Sequence, residues 1–112
     1  MKKLNKKIIK ILENNDFAYG EVTEQDGECY IELNQYTPEG KDWWETIWFD
    51  GTSKGFIEAL QDRAYNFDVD EEAEIYVSMR GQNGVPSSIK ALIEDAEWKQ
   101  ETLESLSRDL SA

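Results

Sequence analysis

The chain has 112 residues, of which 12 are basic and 24 are acidic, so its formal net charge is −12 at pH 7. This length suits one domain, and the 39% of hydrophobic residues are sufficient for a core without metal or disulfide staples. Histidine is absent and Cys29 is the only cysteine. This composition excludes His-based catalytic triads, most transition-metal sites and an intramolecular disulfide.

The charge is unevenly distributed along the chain. Five lysines precede the first acidic residue, Glu13, so the remainder has 7 basic and 24 acidic residues and a formal charge of −17. A field of this sign disfavours binding to nucleic acid or an anionic membrane and steers a protein toward cationic partners, although acidity also serves solubility alone. The sequence has neither an apolar run of membrane-spanning length nor a signal-peptide pattern, which predicts a cytoplasmic location.

Hydrophobic periodicity predicts one α+β domain over residues 1–112, with an antiparallel sheet of about four strands and the element order α-β-β-β-α-β-α. The first element is an amphipathic basic helix over 1–14, whose apolar residues recur at helical spacing. A second apolar stripe predicts a helix over 53–67. A third predicts a long acidic C-terminal helix over 88–110.

Alternation of apolar and polar residues predicts the strands. A three-stranded meander is predicted over 17–50, and Asp26-Gly27 between its first two strands is typical of a tight hairpin turn. The three strands are Ala18 to Glu24, Cys29 to Tyr36 and Trp43 to Asp50. A fourth strand is predicted over 74–79, where three apolar residues alternate with polar ones.

The C-terminal helix contains the most informative candidate site. At about 100° per residue, Trp98 points away from the apolar stripe of the helix. It is surrounded by carboxylates at spacings of three or four residues, namely Glu94, Glu97, Glu101 and Glu104. Aromatic side chains are favoured interface anchors, and carboxylates around one suit a lysine- or arginine-rich partner. The alternative interpretation is that Trp98 folds back on the sheet or on a neighbouring helix.

A second acidic segment, Asp68 to Glu74, is predicted to connect a helix to the fourth strand. It contributes four further candidate partner-binding residues, Asp68, Asp70, Glu71 and Glu72. Carboxylates three or four residues apart on a helix lie about 5 to 6 Å apart, comparable with the phosphates along a nucleic-acid strand. The two acidic arrays therefore suit mimicry of a polyphosphate backbone in the cationic groove of a DNA-binding enzyme.

Several short segments carry a resemblance to known proteins. They are Gln35 to Gly40, Phe49 to Gly51, Asn66 to Glu71, Gly84 to Ile89 and Ile93 to Ala96. Over Glu28 to Leu110, these segments look like those of a family of small acidic uncharacterised proteins from Gram-positive gut bacteria and their mobile elements. The resemblance implies a cytoplasmic protein from a mobile element and supplies no activity or site residues. In its composition and its alternation of acidic segments with a small α+β core, but in no residue motif, the chain also resembles DNA-mimicking anti-restriction and anti-CRISPR inhibitors.

Together these features predict a non-enzymatic acidic binding protein, a phage or mobile-element inhibitor that mimics DNA, with no catalytic residue, cofactor or metal site. The predicted partner is a basic protein surface such as that of a DNA-binding enzyme. One alternative is a homo-oligomeric assembly module, in which the Trp44 and Trp48 face is buried in a homodimer or the Lys2 to Lys10 helix meets the acidic face of another copy. A metal-dependent hydrolase is the other alternative, because carboxylate pairs are plentiful.

Overall fold

The computed structural model describes residues 3–112 and confirms a single-domain α+β fold with a four-stranded antiparallel sheet. The helices are α1 (Lys6–Asn14), α2 (Ser53–Tyr65), α3 (Val69–Ile75) and α4 (Ile89–Ser111). The strands are β1 (Ala18–Tyr19), β2 (Thr23–Gln25), β3 (Glu28–Tyr36) and β4 (Asp42–Phe49). The predicted first helix is therefore confirmed from Lys6 onward, with Asn5 as its N-cap. Its first two residues, Met1 and Lys2, lie outside the described part of the chain.

The strand predicted over Ala18 to Glu24 is divided into two by a β-bulge. Both β1 and β2 pair with β3, but Tyr19 lies opposite Leu33 whereas Thr23 lies opposite Tyr30, so the register shifts by one residue between them. A bulge of this kind inserts one unpaired residue. It allows Tyr19 and Val22, which are three residues apart, to lie on the same side of the sheet.

Two tight turns complete the meander, and the first of them is the one predicted at Asp26-Gly27. Asp26 and Gly27 have φ angles of 52° and 83°, the pair of positive values that a type I′ hairpin requires. In the second turn, the Gly40 N–H donates to the Thr37 carbonyl at 2.8 Å. β4 then pairs with β3 over its whole length, with Trp43 in the core and Trp44 in solvent.

The strand predicted over 74–79 is wrong, because this segment ends α3 and continues into a short 3-10 helix, Val77–Met79. The acidic connector predicted before it is α3 itself. Asp68 caps this helix by accepting a hydrogen bond from the Glu71 N–H at 3.1 Å. Val69, Ala73 and Tyr76 recur at helical spacing and pack beside α4, so a helical stripe determines the structure. The strand-like alternation of apolar and polar residues between Ile75 and Met79 does not determine it.

The core lies between one face of the sheet and helices α1, α2 and α4. Its most deeply buried apolar residues include Leu12, Leu33, Phe56, Leu60, Leu103 and Leu106. A smaller cluster of Ala73, Val85, Leu92 and Ala96 attaches α3 and the loop before α4. The opposite face of the sheet has no helix in the described structure, so it exposes Tyr36, Trp44 and Trp48.

The loop before α4 is held against the second turn by a close backbone contact at Gly84. A Cβ at Gly84 would lie 2.7 Å from the Gly40 carbonyl oxygen, which is shorter than any normal contact. Gly81 has the same left-handed backbone, with φ of +77° against +78°, but its Cβ would meet nothing closer than 4.0 Å. The two glycines therefore have the same backbone conformation but differ in the space available for a side chain.

We predict that Gly84→Ala lowers the free energy of unfolding by more than Gly81→Ala does. Both substitutions incur the cost of a left-handed alanine, about 1 to 2 kcal/mol, and only Gly84→Ala adds a backbone clash. Urea denaturation followed by tryptophan fluorescence measures both losses. Equal losses would contradict the close approach of the loop to the turn.

Candidate protein-binding surface

The four carboxylates predicted on the C-terminal helix lie on the solvent side of α4. Glu94, Glu97, Glu101 and Glu104 are all exposed, and their spacing places them along one side of the helix. The leucines of α4 are buried on the opposite side. We refer to these four carboxylates as the α4 acidic strip.

Few cations offset the charge of the α4 acidic strip. Lys90 Nζ lies 3.9 Å from Glu94 Oε1, but the two side chains are 89% and 61% exposed, and such a pair contributes little to stability. Within residues 3–112, Glu97, Glu101 and Glu104 take part in no ion pair. These three negative charges are therefore presented directly to solvent.

Trp98 lies beside the strip and folds back toward the sheet. Its ring is half-buried and packs edge-on against Trp43, with the ring centroids 5.7 Å apart. The interpretation of Trp98 as an outward anchor is wrong, and the alternative of folding back on the sheet is confirmed. The physical reason is that Trp43, from a distant strand, provides an apolar partner that the periodicity of α4 cannot indicate. Trp98 still lines an open cleft of about 220 Å³ together with Glu94 and Pro38.

The carboxylates at the start of α3 have a structural role as well as an exposed position. Asp68 is the N-cap, and Asp70 and Glu71 occupy the first turn. Negative charge is favoured there by the partial positive charge of a helix N-terminus. All three residues are exposed, so they remain candidates for partner contact.

Glu72 does not belong to the exposed acidic array predicted over Asp68 to Glu74. Its Oε2 accepts a hydrogen bond from Lys99 Nζ at 2.7 Å, and its Oε1 lies 4.0 Å from Arg63 Nη2. The side chain is mostly buried. Glu72 therefore points inward, because two cations on α2 and α4 hold it there.

Glu72 is one member of a chain of charges that sequence patterns did not identify. Glu45 on β4 accepts hydrogen bonds from Arg63 Nε at 2.6 Å and Nη2 at 2.9 Å, and from Trp43 Nε1 at 2.9 Å. Arg63 then faces Glu72, which binds Lys99. The series Glu45–Arg63–Glu72–Lys99, which we call the charge network, joins β4, α2, α3 and α4 and is electrically neutral. The hydrogen bond to Glu45 raises the pKa of Arg63.

Lys99 is the most deeply buried member of the charge network, with 1% of its surface exposed. Its ammonium group lies 4.6 Å from the ring centroid of Tyr76 and 5.9 Å from that of Trp43. Aromatic faces and a hydrogen-bonded carboxylate are the surroundings in which a buried cation is tolerated. A sequence signal did exist, because Lys99 lies within the apolar stripe of α4 between Ala96 and Leu103.

Asp95, next to Lys99 in space, is a buried carboxyl that is incompletely satisfied. The Asp95 Oδ1 atom has no hydrogen-bond partner in the described structure. The Asp95 residue also lines a cavity of about 10 Å³. Burial raises the pKa of Asp95, and the charge of Lys99 and a hydrogen bond from Thr37 offset this only in part. Asp95 therefore favours its neutral form more than an exposed aspartate does.

A cluster of metal ligands and a membrane-spanning helix are both absent from the structure of residues 3–112. In that range no group of three or more potential ligand side chains is arranged to hold a metal ion, and no helix is long and apolar enough to span a bilayer. Comparison with protein-family models, curated proteins and solved structures gives no match. The resemblance to small acidic proteins of gut bacteria therefore stays a prediction.

We predict that Lys99→Met lowers the free energy of unfolding by about 3 to 5 kcal/mol, because it leaves Glu72 without its closest partner. The matched control is Lys90→Met, which breaks an exposed pair and should change stability by less than about 1 kcal/mol. Urea denaturation measures both. If Lys99→Met does not fold, adding Glu72→Gln should restore folding, since the uncompensated charge is then removed. A small, equal effect at both lysines would contradict a structural role for the charge network.

We also predict that Asp95→Asn becomes increasingly stabilising as pH rises. The raised pKa of Asp95 means that the folded state binds the proton more tightly than the unfolded state does. Proton binding at Asp95 therefore stabilises the fold fully below the ordinary pKa of 3.8, and this stabilisation is lost as pH rises through the folded-state pKa. Asparagine does not ionise, so the variant does not lose stability at this position as pH rises.

The measurement for this variant is the urea midpoint across the acidic to neutral range. Asp26→Asn, at the exposed hairpin turn, is the matched control and should show no comparable trend. A stability difference between Asp95→Asn and wild type that is independent of pH would contradict the assignment.

Proposed function

We propose that this protein is a non-enzymatic acidic binding protein that presents the α4 acidic strip to a basic surface of another protein. The observation that supports this most directly is the contrast between two sets of carboxylates. Glu45 and Glu72, which point inward, are matched by cations. Glu97, Glu101 and Glu104, which point outward, lack an ion pair within residues 3–112. The fold thus pairs Glu45 and Glu72 with cations and leaves three carboxylates of the strip without an ion pair.

The charge distribution of the whole chain favours a cationic partner. From Glu13 onward the formal charge is −17, and the exposed lysines of α1 lie on a separate element from the strip. Such a field accelerates association with a basic surface and suppresses association with nucleic acid. Because exposed charges are screened within about 8 Å at physiological ionic strength, salt should weaken the complex.

We propose a DNA-binding enzyme as the class of partner, with the strip in the groove that normally holds DNA. From Glu94 to Glu104 the helix rises about 15 Å, which corresponds to about four phosphate steps along one strand of DNA. A helix holds its carboxylates in fixed positions, so less entropy is lost on binding than with a flexible acidic tail. The protein would then act as an inhibitor by occupying the DNA site.

Trp98 has a supporting role in this proposal. Although half-buried, it lines the cleft of about 220 Å³ beside Glu94. A lysine or arginine of the partner that enters this cleft meets an aromatic ring and carboxylates, both of which attract a cation. The exposed Asp70 and Glu71 of the adjacent helix α3 extend the negative surface.

The proposed function predicts that the protein, immobilised and exposed to a bacterial lysate, retains DNA-binding proteins that duplex DNA releases. The double variant Glu97→Lys with Glu101→Lys should lose this retention by at least about tenfold, because it reverses the centre of the strip. The matched control is Glu24→Lys with Glu28→Lys in the β2–β3 hairpin, which makes the same change in net charge. Quantitative mass spectrometry of the DNA eluate measures retention.

The outcomes separate the components of the proposal. Retention that both double variants reduce equally would show that net charge alone is responsible and would contradict a specific strip. Retention of proteins that duplex DNA does not release would contradict DNA mimicry while leaving an acidic binding surface in place. Circular dichroism of each variant establishes that the fold is intact.

A further inference from the structure

β4 forms an edge of the sheet that lacks the usual protection against pairing. It pairs only with β3 in the described structure, and the register is constant over eight consecutive residue pairs, from Cys29 opposite Phe49 to Tyr36 opposite Asp42. Edge strands are normally short, bulged, or marked by lysine or proline. β4 has eight residues, contains neither lysine nor proline, and its one inward charge, Glu45, is neutralised by Arg63.

The opposite edge of the same sheet, formed by β1 and β2, has features that protect it against pairing with another strand. There β1 and β2 have only two and three residues and are separated by the bulge. Glu21 within the bulge and Glu24 in β2 are both exposed charges. One edge is therefore guarded in several ways while the β4 edge is open.

The hydrogen-bond pattern shows which backbone groups of β4 point outward. The Gly20 N–H donates to the Glu32 carbonyl at 2.9 Å, so Glu32 directs its backbone groups toward β1. The pair of Glu32 and Thr46 is consequently a non-hydrogen-bonded pair of the β3–β4 ladder. The N–H and C=O of Thr46, and of Trp44 and Trp48 two residues away, therefore point to the open edge. No turn, loop or cap within residues 3–112 bonds to them.

The side chains of these three residues are arranged symmetrically about Thr46. Trp44 and Trp48 lie on the exposed face of the sheet with 55% and 45% of their surface exposed. The order Trp44, Thr46, Trp48 is the same in both chain directions. A two-fold contact between identical strands requires such self-complementarity, and a partner of different sequence does not.

We infer that β4 pairs antiparallel with β4 of a second copy of this chain, with Thr46 on the two-fold axis. Each Trp44 then lies opposite Trp48 of the second copy, and Thr46 lies opposite itself. All three residue pairs exchange both of their N–H···O=C hydrogen bonds, because their backbone groups already point outward. Cross-strand aromatic pairs add to the stability of such a ladder. The result is one continuous sheet across two copies.

Charge and area limit the strength of this dimer. In the proposed register Asp42 lies opposite Asp50 of the second copy, and both copies carry a net charge of −12. With about 200 Å² of surface for each tryptophan, the exposed halves of four tryptophans contribute roughly 400 Å², well below the 1,200 to 2,000 Å² of a stable interface. The dimer is therefore concentration-dependent and is strengthened by salt, the opposite of the salt dependence expected for a basic partner.

Sedimentation equilibrium at low and high salt tests this dimer. Thr46→Lys places two ammonium groups opposite each other on the axis and should raise the dimer dissociation constant by at least about tenfold. The matched control is Glu32→Lys, which changes the exposed face opposite Thr46 but not the open edge, and it should leave the dimer as strong as wild type or stronger. A wild-type chain that stays monomeric at every concentration and salt would overturn the inference.

Disulfide trapping tests the register. Residues opposite each other in a hydrogen-bonded antiparallel pair have Cα atoms about 5.5 Å apart, within the range of a disulfide. Thr46→Cys should therefore give a covalent dimer on mild oxidation, whereas wild type, whose Cys29 is buried, should give none. Covalent dimer from Glu32→Cys but not from Thr46→Cys would show that the sheets stack face to face, and would overturn edge pairing.

Discussion

The charge network of Glu45, Arg63, Glu72 and Lys99 connects helices α2, α3 and α4 to strand β4. It is the only set of polar contacts within residues 3–112 that joins β4, α2, α3 and α4 in one series. A helix as short as the seven-residue α3 does not persist alone in water. Its attachment depends on Glu72 and on the small apolar cluster around Ala73. Removal of one charge would leave its neighbour buried and uncompensated.

The charge network also pairs two basic residues with inward-pointing carboxylates. The inward carboxylates of β4 and α3 are neutralised by Arg63 and Lys99, so two of the cations in a chain that has only 12 are used inside the protein. The carboxylates on the outer side of α4 are left largely unopposed. Lys99 and the α4 acidic strip therefore lie on opposite sides of the same helix, one buried in the protein and the other exposed to solvent.

Sequence patterns were sufficient where a local rule determines the structure. Asp26-Gly27 predicted the hairpin, and the strands predicted over Cys29 to Tyr36 and Trp43 to Asp50 correspond to β3 and β4. They failed where a distant residue decides: Trp98 is covered by Trp43 of another element, and no property of α4 alone indicates this. The segment 74–79 alternates like a strand, but the cap at Asp68 and contacts with α4 favour a helix. The outward position of the α4 carboxylates could be predicted because helical spacing alone determines it.

Native-state hydrogen exchange of the α3 amides tests the central claim most directly, namely that the charge network makes α3 part of one cooperative unit with α4 and the sheet. Exchange that requires global unfolding is the slowest in a protein, and segments that open locally exchange faster. The account predicts that the hydrogen-bonded amides of Ala73 and Glu74 exchange with the same opening free energy as those of β3 and β4. Exchange of α3 through a local opening of much lower free energy would contradict it.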